Sequence, residues 1–213
     1  MKRRGLTLAE LLMAMFLLAT VTSMMMMLLF PSLWMWRAEQ AHSEVQQGVL
    51  VACSRLQQML LNCQLESLTV STAPAGIALQ EVVSDSAGFD AVSGNPILES
   101  QVQVVYYDSG SRKVIQKTWK DTPALAGISF TSTPCHLVRL SPAHIAQVSS
   151  SGLQPRTMAT NVEVFEISDQ DKDLTVINPP LTIRVRCQLT LLQSPKQEAF
   201  EMTVAVTPRS LRL

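Results

Sequence analysis

From Leu6 to Phe30 the chain is almost continuously apolar, and the twenty residues from Leu11 to Phe30 carry no charge before Pro31 interrupts them. That is the length an α-helix needs to cross a bilayer. Lys2, Arg3 and Arg4 precede the run. Positive charge of this kind marks the cytoplasmic side, so the pattern predicts a single-pass protein with everything after Pro31 outside the cytoplasm. A secretory signal peptide would be shorter and would end in small residues; here the run gives way to "LFPSLWMWR". Trp34 and Trp36 suit a membrane–water interface.

Past Pro31 the apolar positions thin to a stripe. Val45, Val49, Ala52, Leu56, Met59 and Cys63 recur at spacings of 4, 3, 4, 3 and 4, which is one face of a helix. Glutamate, glutamine and Arg55 occupy much of the remaining surface. The pattern predicts a helix from Leu6 to about Glu66, kinked but not ended at Pro31. Its length would be roughly 90 Å.

Beyond about residue 66 the period changes to two. "QVQVVYY" and "KVIQKTW" flank "DSGSR" and predict a hairpin; "NVEVFEI" and "LTVI" flank "SDQDKD" and predict a second. In "LTIRVRCQLTLL", Ile183, Val185, Cys187, Leu189 and Leu191 alternate with Arg184, Arg186, Gln188 and Thr190. Phe200, Met202, Val204 and Val206 repeat the pattern. Such strands fit an antiparallel sheet covered on one side, and the amphipathic half of the helix is the natural cover. The fold class expected is α+β: a long N-terminal helix, its first half transmembrane and its second amphipathic, packed on an antiparallel β-sheet head.

Composition agrees with an anchored globular protein. Of 213 residues, 47% are hydrophobic and 16% charged, with 17 basic against 17 acidic. No nucleic-acid footprint is expected of a chain so balanced. Without the three N-terminal cations, 14 basic residues face 17 acidic ones. Cys53, Cys63, Cys135 and Cys187 lack metal-ligand spacing. Outside the cytoplasm they could form disulfides, with three full pairings open, or remain buried thiols. Along an unbroken helix Cys53 and Cys63 would lie about 15 Å apart, too far to pair with each other.

Candidate chemistry is sparse. His42, His136 and His144 stand in unrelated settings, and no nucleophile elbow, HExxH or phosphate loop is present. No catalytic, cofactor-binding or metal residue is assigned, and an enzyme is not expected. Met24–Met27 point to different sides of a helix and cannot converge on one metal ion. Asp169, Asp171 and Asp173 alternate as in a calcium loop, but Leu174 and Pro180 stand where an EF-hand needs glycine and glutamate. A solvated turn is preferred, with another calcium geometry left open. Arg184 and Arg186, with Arg209 and Arg212, suggest either a basic patch or a solvated sheet face.

Glu10 remains, a carboxylate near the start of an apolar run, where an unpaired charge is costly. The stretch "RRG-LTLAE-LLMAMFLL" resembles the N-terminus of type IV pilins and pseudopilins. The resemblance implies a leader of residues 1–5, cut between Gly5 and Leu6 by a prepilin peptidase that also methylates the new N-terminus. Leu6 stands where the family most often has phenylalanine. Glu10 becomes the fifth mature residue and would pair with the Leu6 amine of a neighbouring subunit, each charge relieving the other. The strong likeness covers roughly residues 1–35; the last strands are similar to those of minor pilins and minor pseudopilins, including the J-type of type II secretion.

On that resemblance the chain divides into leader 1–5, transmembrane and filament-core helix 6–30, amphipathic helix 31–66 and an extracytoplasmic β-rich head 67–213. It implies a minor pilin or pseudopilin in the cytoplasmic (inner) membrane that passes into a helical filament. Other pilins or pseudopilins and an inner-membrane assembly platform would be its partners. No cofactor is implied, nor nucleic-acid binding by this subunit. A type IV pilus, a type II secretion pseudopilus and a DNA-uptake pilus share this N-terminus. The rival expectation is an anchored binding or sensor domain that never assembles.

Overall fold

The computed structural model describes residues 7–83, 96–125, 127–128, 130, 137–171, 174, 177–189 and 198–208. Helix α1 spans Leu8–Leu61. After a 3-10 turn at Leu65–Ser67 come β1 Thr69–Thr72, β2 Ala75–Val82, β3 Leu98–Asp108 and β4 Lys113–Trp119. Helix α2 Pro142–Ser150 is followed by β5 Arg156–Ala159, β6 Val162–Ser168, β7 Leu181–Leu189 and β8 Glu198–Val206. The layout is the α+β one expected from the sequence: one long N-terminal helix followed by antiparallel sheets.

Two compact units divide the chain, 1–43 and 44–213, and α1 contributes to both. Pro31 lies inside α1 without ending it. In the first unit the large apolar side chains from Leu8 to Trp36 are exposed.

In the second unit the stripe Val49, Ala52, Cys53, Leu56, Met59, Leu60 and Cys63 is buried, with Val45 at its margin. It packs with Leu68, Val70, Ile77, Leu79, Val105, Ile183, Val185 and Cys187 in one core. Trimming a residue so placed, such as Leu56, to alanine costs about 2–5 kcal/mol. The helix stops at Leu61, short of the expected Glu66, because the chain there turns to join the sheet. Asn62 O accepts the Val82 N–H at 2.9 Å, and Cys63 bridges Glu81.

The head holds two sheets, not one: a five-stranded meander ordered β1-β2-β3-β4-β5 and a three-stranded sheet β6-β7-β8, antiparallel throughout. The first hairpin, β3–β4, forms as the sequence predicts, and Asp108 accepts from Gly110 N and Ser111 Oγ at its turn. The second does not. β6 pairs with β7, from Ser168↔Thr182 to Val162↔Cys187; of "LTVI", Leu174 and Ile177 are in no strand, and residues 175 and 176 lie outside the described residues. Long, strictly alternating β7 supplies a fuller apolar face, with Leu181, Ile183, Val185 and Cys187 buried.

The five-stranded sheet is also covered on both faces, where one was expected. On the face away from α1, Ala78, Val102, Val104, Tyr106 and Trp119 pack under Leu140, Ile145 and Val148 in a second core. Two polar groups lock this layer. Gln80 donates to Glu99 O at 2.7 Å and accepts from Val138 N at 2.9 Å. Lys117, 6% exposed, donates to the carbonyls of Val148, Ser149 and Ser151 at the end of α2.

Candidate assembly surface

Glu10 sits in the first turn of α1 as half of a capping box. The Thr7 N–H and hydroxyl donate to Glu10 Oε2 at 2.9 and 3.0 Å, and the Glu10 N–H donates to Thr7 Oγ1 at 3.4 Å. Thr7 is therefore the N-cap and Glu10 the third helical residue, the arrangement that satisfies orphaned donors at a helix start. Glu10 Oε1 accepts no hydrogen bond among the described residues. Gly5 and Leu6, the expected cleavage site, lie outside the described residues.

Around this carboxylate the helix is uniformly apolar. Leu8, Leu11, Leu12, Met15, Phe16 and Met24–Met27 are all exposed, so α1 contains a segment long and apolar enough to cross a membrane. It is the one such helix among the described residues. Trp34 and Trp36 are half exposed at its far end, with the Arg37 guanidinium 6.0 Å from the Trp34 ring. An amphipathic ring beside a cation is what the membrane–water boundary accommodates.

The other candidates disperse. Asp169 is 5% exposed; its Oδ2 accepts from Asn178 N at 3.3 Å, and its Oδ1 has no partner among the described residues. Asp171 accepts from Asn178 Nδ2 at 2.6 Å, and Asp173 lies outside the described residues. Among the described residues no group of three His, Cys, Asp or Glu side chains could hold a metal ion. His144 belongs to a second capping box, with Ser141 Oγ accepting from its N–H and its Nδ1 accepting from Ser141 N. His136 is outside the described residues.

Arg184 and Arg186 are not the core of a basic patch. Arg184 pairs with Glu201 at 2.8 Å and Glu166 at 3.4 Å, and Arg186 with Glu163 at 3.2 Å. Strand register explains this, since β6 and β8 place glutamates on either side of the β7 arginines. Arg209 and Arg212 are outside the described residues.

Cys53, Cys63 and Cys187 are buried free thiols. Burial pushes Cys53 and Cys187 up to about 11 and Cys63 to about 12, so none is a nucleophile at neutral pH. Cys135 lies outside the described residues.

Sequence reasoning missed both capping boxes, although "TLAE" carries the Thr-x-x-Glu signature. It also missed α2, which "SPAH" announces with a serine cap and proline at the first turn. No family model, curated protein or solved structure matches this chain.

Proposed function

We propose that this chain is a minor pilin or minor pseudopilin, a structural subunit of a type IV pilus-like or type II secretion filament. The observation that carries the reading is the uncovered apolar surface of α1 with a single carboxylate, Glu10, at its start. Such a surface needs lipid or other helices around it. In the precursor the bilayer supplies the cover, with the N-terminus cytoplasmic and the head outside; in the filament, neighbouring copies of the same kind of helix replace it. Head-to-tail contacts of that sort do not close and generate open helical fibres.

Processing by a prepilin peptidase between Gly5 and Leu6 would leave an α-amine in the apolar layer. The capping box leaves Glu10 Oε1 available, so one carboxylate can cap its own helix and meet the Leu6 amine of a neighbour. Other pilins, the processing enzyme and an inner-membrane platform are the partners this requires. The role is assembly, not turnover.

The capping box favours a second reading. Glu10 is accounted for locally by Thr7, so a plain anchored binding or sensor domain could carry it without assembling. The mass and terminal sequence of the protein purified from its own membranes test the choice. A chain beginning at N-methylated Leu6 is expected; one still beginning at Met1 in cells with active peptidase overturns the filament reading.

A further inference from the structure

The stripe that α1 lays on the head includes Cys53, and the strand beneath it includes Cys187. β7 is the central strand of the three-stranded sheet, and Cys187 stands between its register partners Val162 and Phe200. Cys53 and Cys187 are 1% and 0% exposed and belong to one core.

Position and electrostatics show which thiols are neighbours. Cys63 lies past the end of α1 at Leu61 and bridges Glu81 of β2. The helical steps from Cys53 to Leu61 alone advance about 12 Å, beyond the roughly 7 Å that a disulfide allows between Cα atoms. The Glu81 charge bears on Cys63, whereas the Cys53 charge bears on Cys187. Coulombic influence falls with distance, so Cys53 is the thiol beside Cys187. The stripe is also narrow at this point, where Ala52 and Cys53 stand among Val49, Leu56, Met59 and Leu60. Small side chains at a contact let packed elements lie closer together.

We propose that Cys53 and Cys187 are a disulfide-forming pair, and that their bond fastens the amphipathic half of α1 to β7. The inference rests on the proposed function only in placing the head outside the cytoplasm, where disulfides persist. The oxidant is another disulfide, such as oxidised glutathione. One cysteine thiolate attacks it, forms a mixed disulfide and expels a thiol; the second thiolate then attacks the mixed disulfide and expels the other. The two thiol protons pass to the expelled thiols, and two electrons reduce the oxidant's S–S bond.

Burial pushes both thiols up to about 11, which withholds the thiolate once α1 has closed over β7. The bond therefore forms as the chain folds, and the same burial then shields it from reductants. A cross-link so distant in sequence closes a long loop and strongly restrains the unfolded chain.

The test refolds the full chain in detergent micelles with oxidised and reduced glutathione. Remaining thiols are blocked with N-ethylmaleimide, and proteolytic peptides are mapped by mass. The expected product links the Cys53 peptide to the Cys187 peptide and leaves Cys63 alkylated. It should melt about 5–10 °C above the same chain refolded with reductant. Cys63→Ser should give the same linked peptide, whereas Cys53→Ala should leave Cys187 alkylated and lose the difference in Tm. Recovery of Cys53 and Cys187 both alkylated overturns the proposal. So does a link from either to Cys63 or Cys135, or a linked chain that melts no higher than the reduced one. The buffer supplies the oxidant, so this result stands apart from the N-terminal mass that tests the filament reading.

Discussion

Thr7 and Glu10 cap each other across the first turn of α1, the Thr7 N–H reaching Glu10 Oε2 at 2.9 Å. Capping and charge neutralisation use different properties of the same carboxylate, and substitutions separate them. Glutamine at the third helical position still completes a capping box but carries no charge; leucine does neither. If Glu10 neutralises a neighbour's amine, Glu10→Gln and Glu10→Leu are both membrane-bound and both poorly incorporated. The fraction recovered in sheared or cross-linked filaments, relative to membrane, measures it. Normal incorporation of the glutamine variant would reduce Glu10 to a cap.

Lys117 makes a different kind of cap. Its ammonium, reaching from β4, closes the C-terminal end of α2 through three carbonyls and lies 5.7 Å from the Tyr106 ring. Helix C-termini carry partial negative charge and favour a cation. Lys117→Met keeps most of the length and removes the donors. The expected loss is about 1.5–3 kcal/mol, from hydrogen bonds to a charged donor. Thermal unfolding of the detergent-solubilised chain should show a Tm lower by about 2–4 °C per kcal/mol. An unchanged Tm would mean that water serves those carbonyls equally well.

The parts of this fold that sequence displays are those with long, strict periods. The stripe from Val45 to Cys63, the alternation of β7 and the β3–β4 hairpin each repeat often enough to be read; the stripe is buried from Val49 to Cys63, and so are Ile183, Val185 and Cys187 of β7, while Leu191 lies outside the described residues. β2 is harder because both its faces are covered. Ile77 and Leu79 face one core and Ala78 the other, so polar alternation disappears. α2 has only nine residues and too few turns to show a period. At the N-terminus the carboxylate stands out as an anomaly, whereas its capping partner Thr7 is one small polar residue at the edge of an apolar run and does not. The Arg184 and Arg186 pairings required knowing which strands flank β7, which depends on register.

The buried thiols should be chemically silent. With values pushed up to about 11 for Cys53 and Cys187 and about 12 for Cys63, thiolate is scarce and water excluded. Ellman's reagent on the folded chain at about pH 8, near the ordinary thiol value, should leave these three unmodified while the unfolded chain reacts at once. Mass mapping assigns the sites. Rapid labelling of Cys53 or Cys187 in the folded chain would mean that α1 separates from β7 on the reagent's timescale.

Glu81 gives the fold a pH dependence of known sign. Desolvation first, and then the Glu99 carboxylate, raise its pKa above the ordinary 4.5. A raised folded value means that the native state holds the proton to higher pH than the unfolded chain. The associated stability is then full below about 4.5 and is lost as pH rises through the folded value. At neutral pH the charge that the unfolded chain carries freely is disfavoured in the fold, which costs stability. Glu81→Gln removes the charge while keeping the shape, so its Tm should exceed that of the parent at about pH 7 and match it near pH 3, where both side chains are neutral. Thermal unfolding at the two pH values decides the matter. A variant no more stable at neutral pH would show that solvent, and not Glu99, sets the environment of this carboxylate.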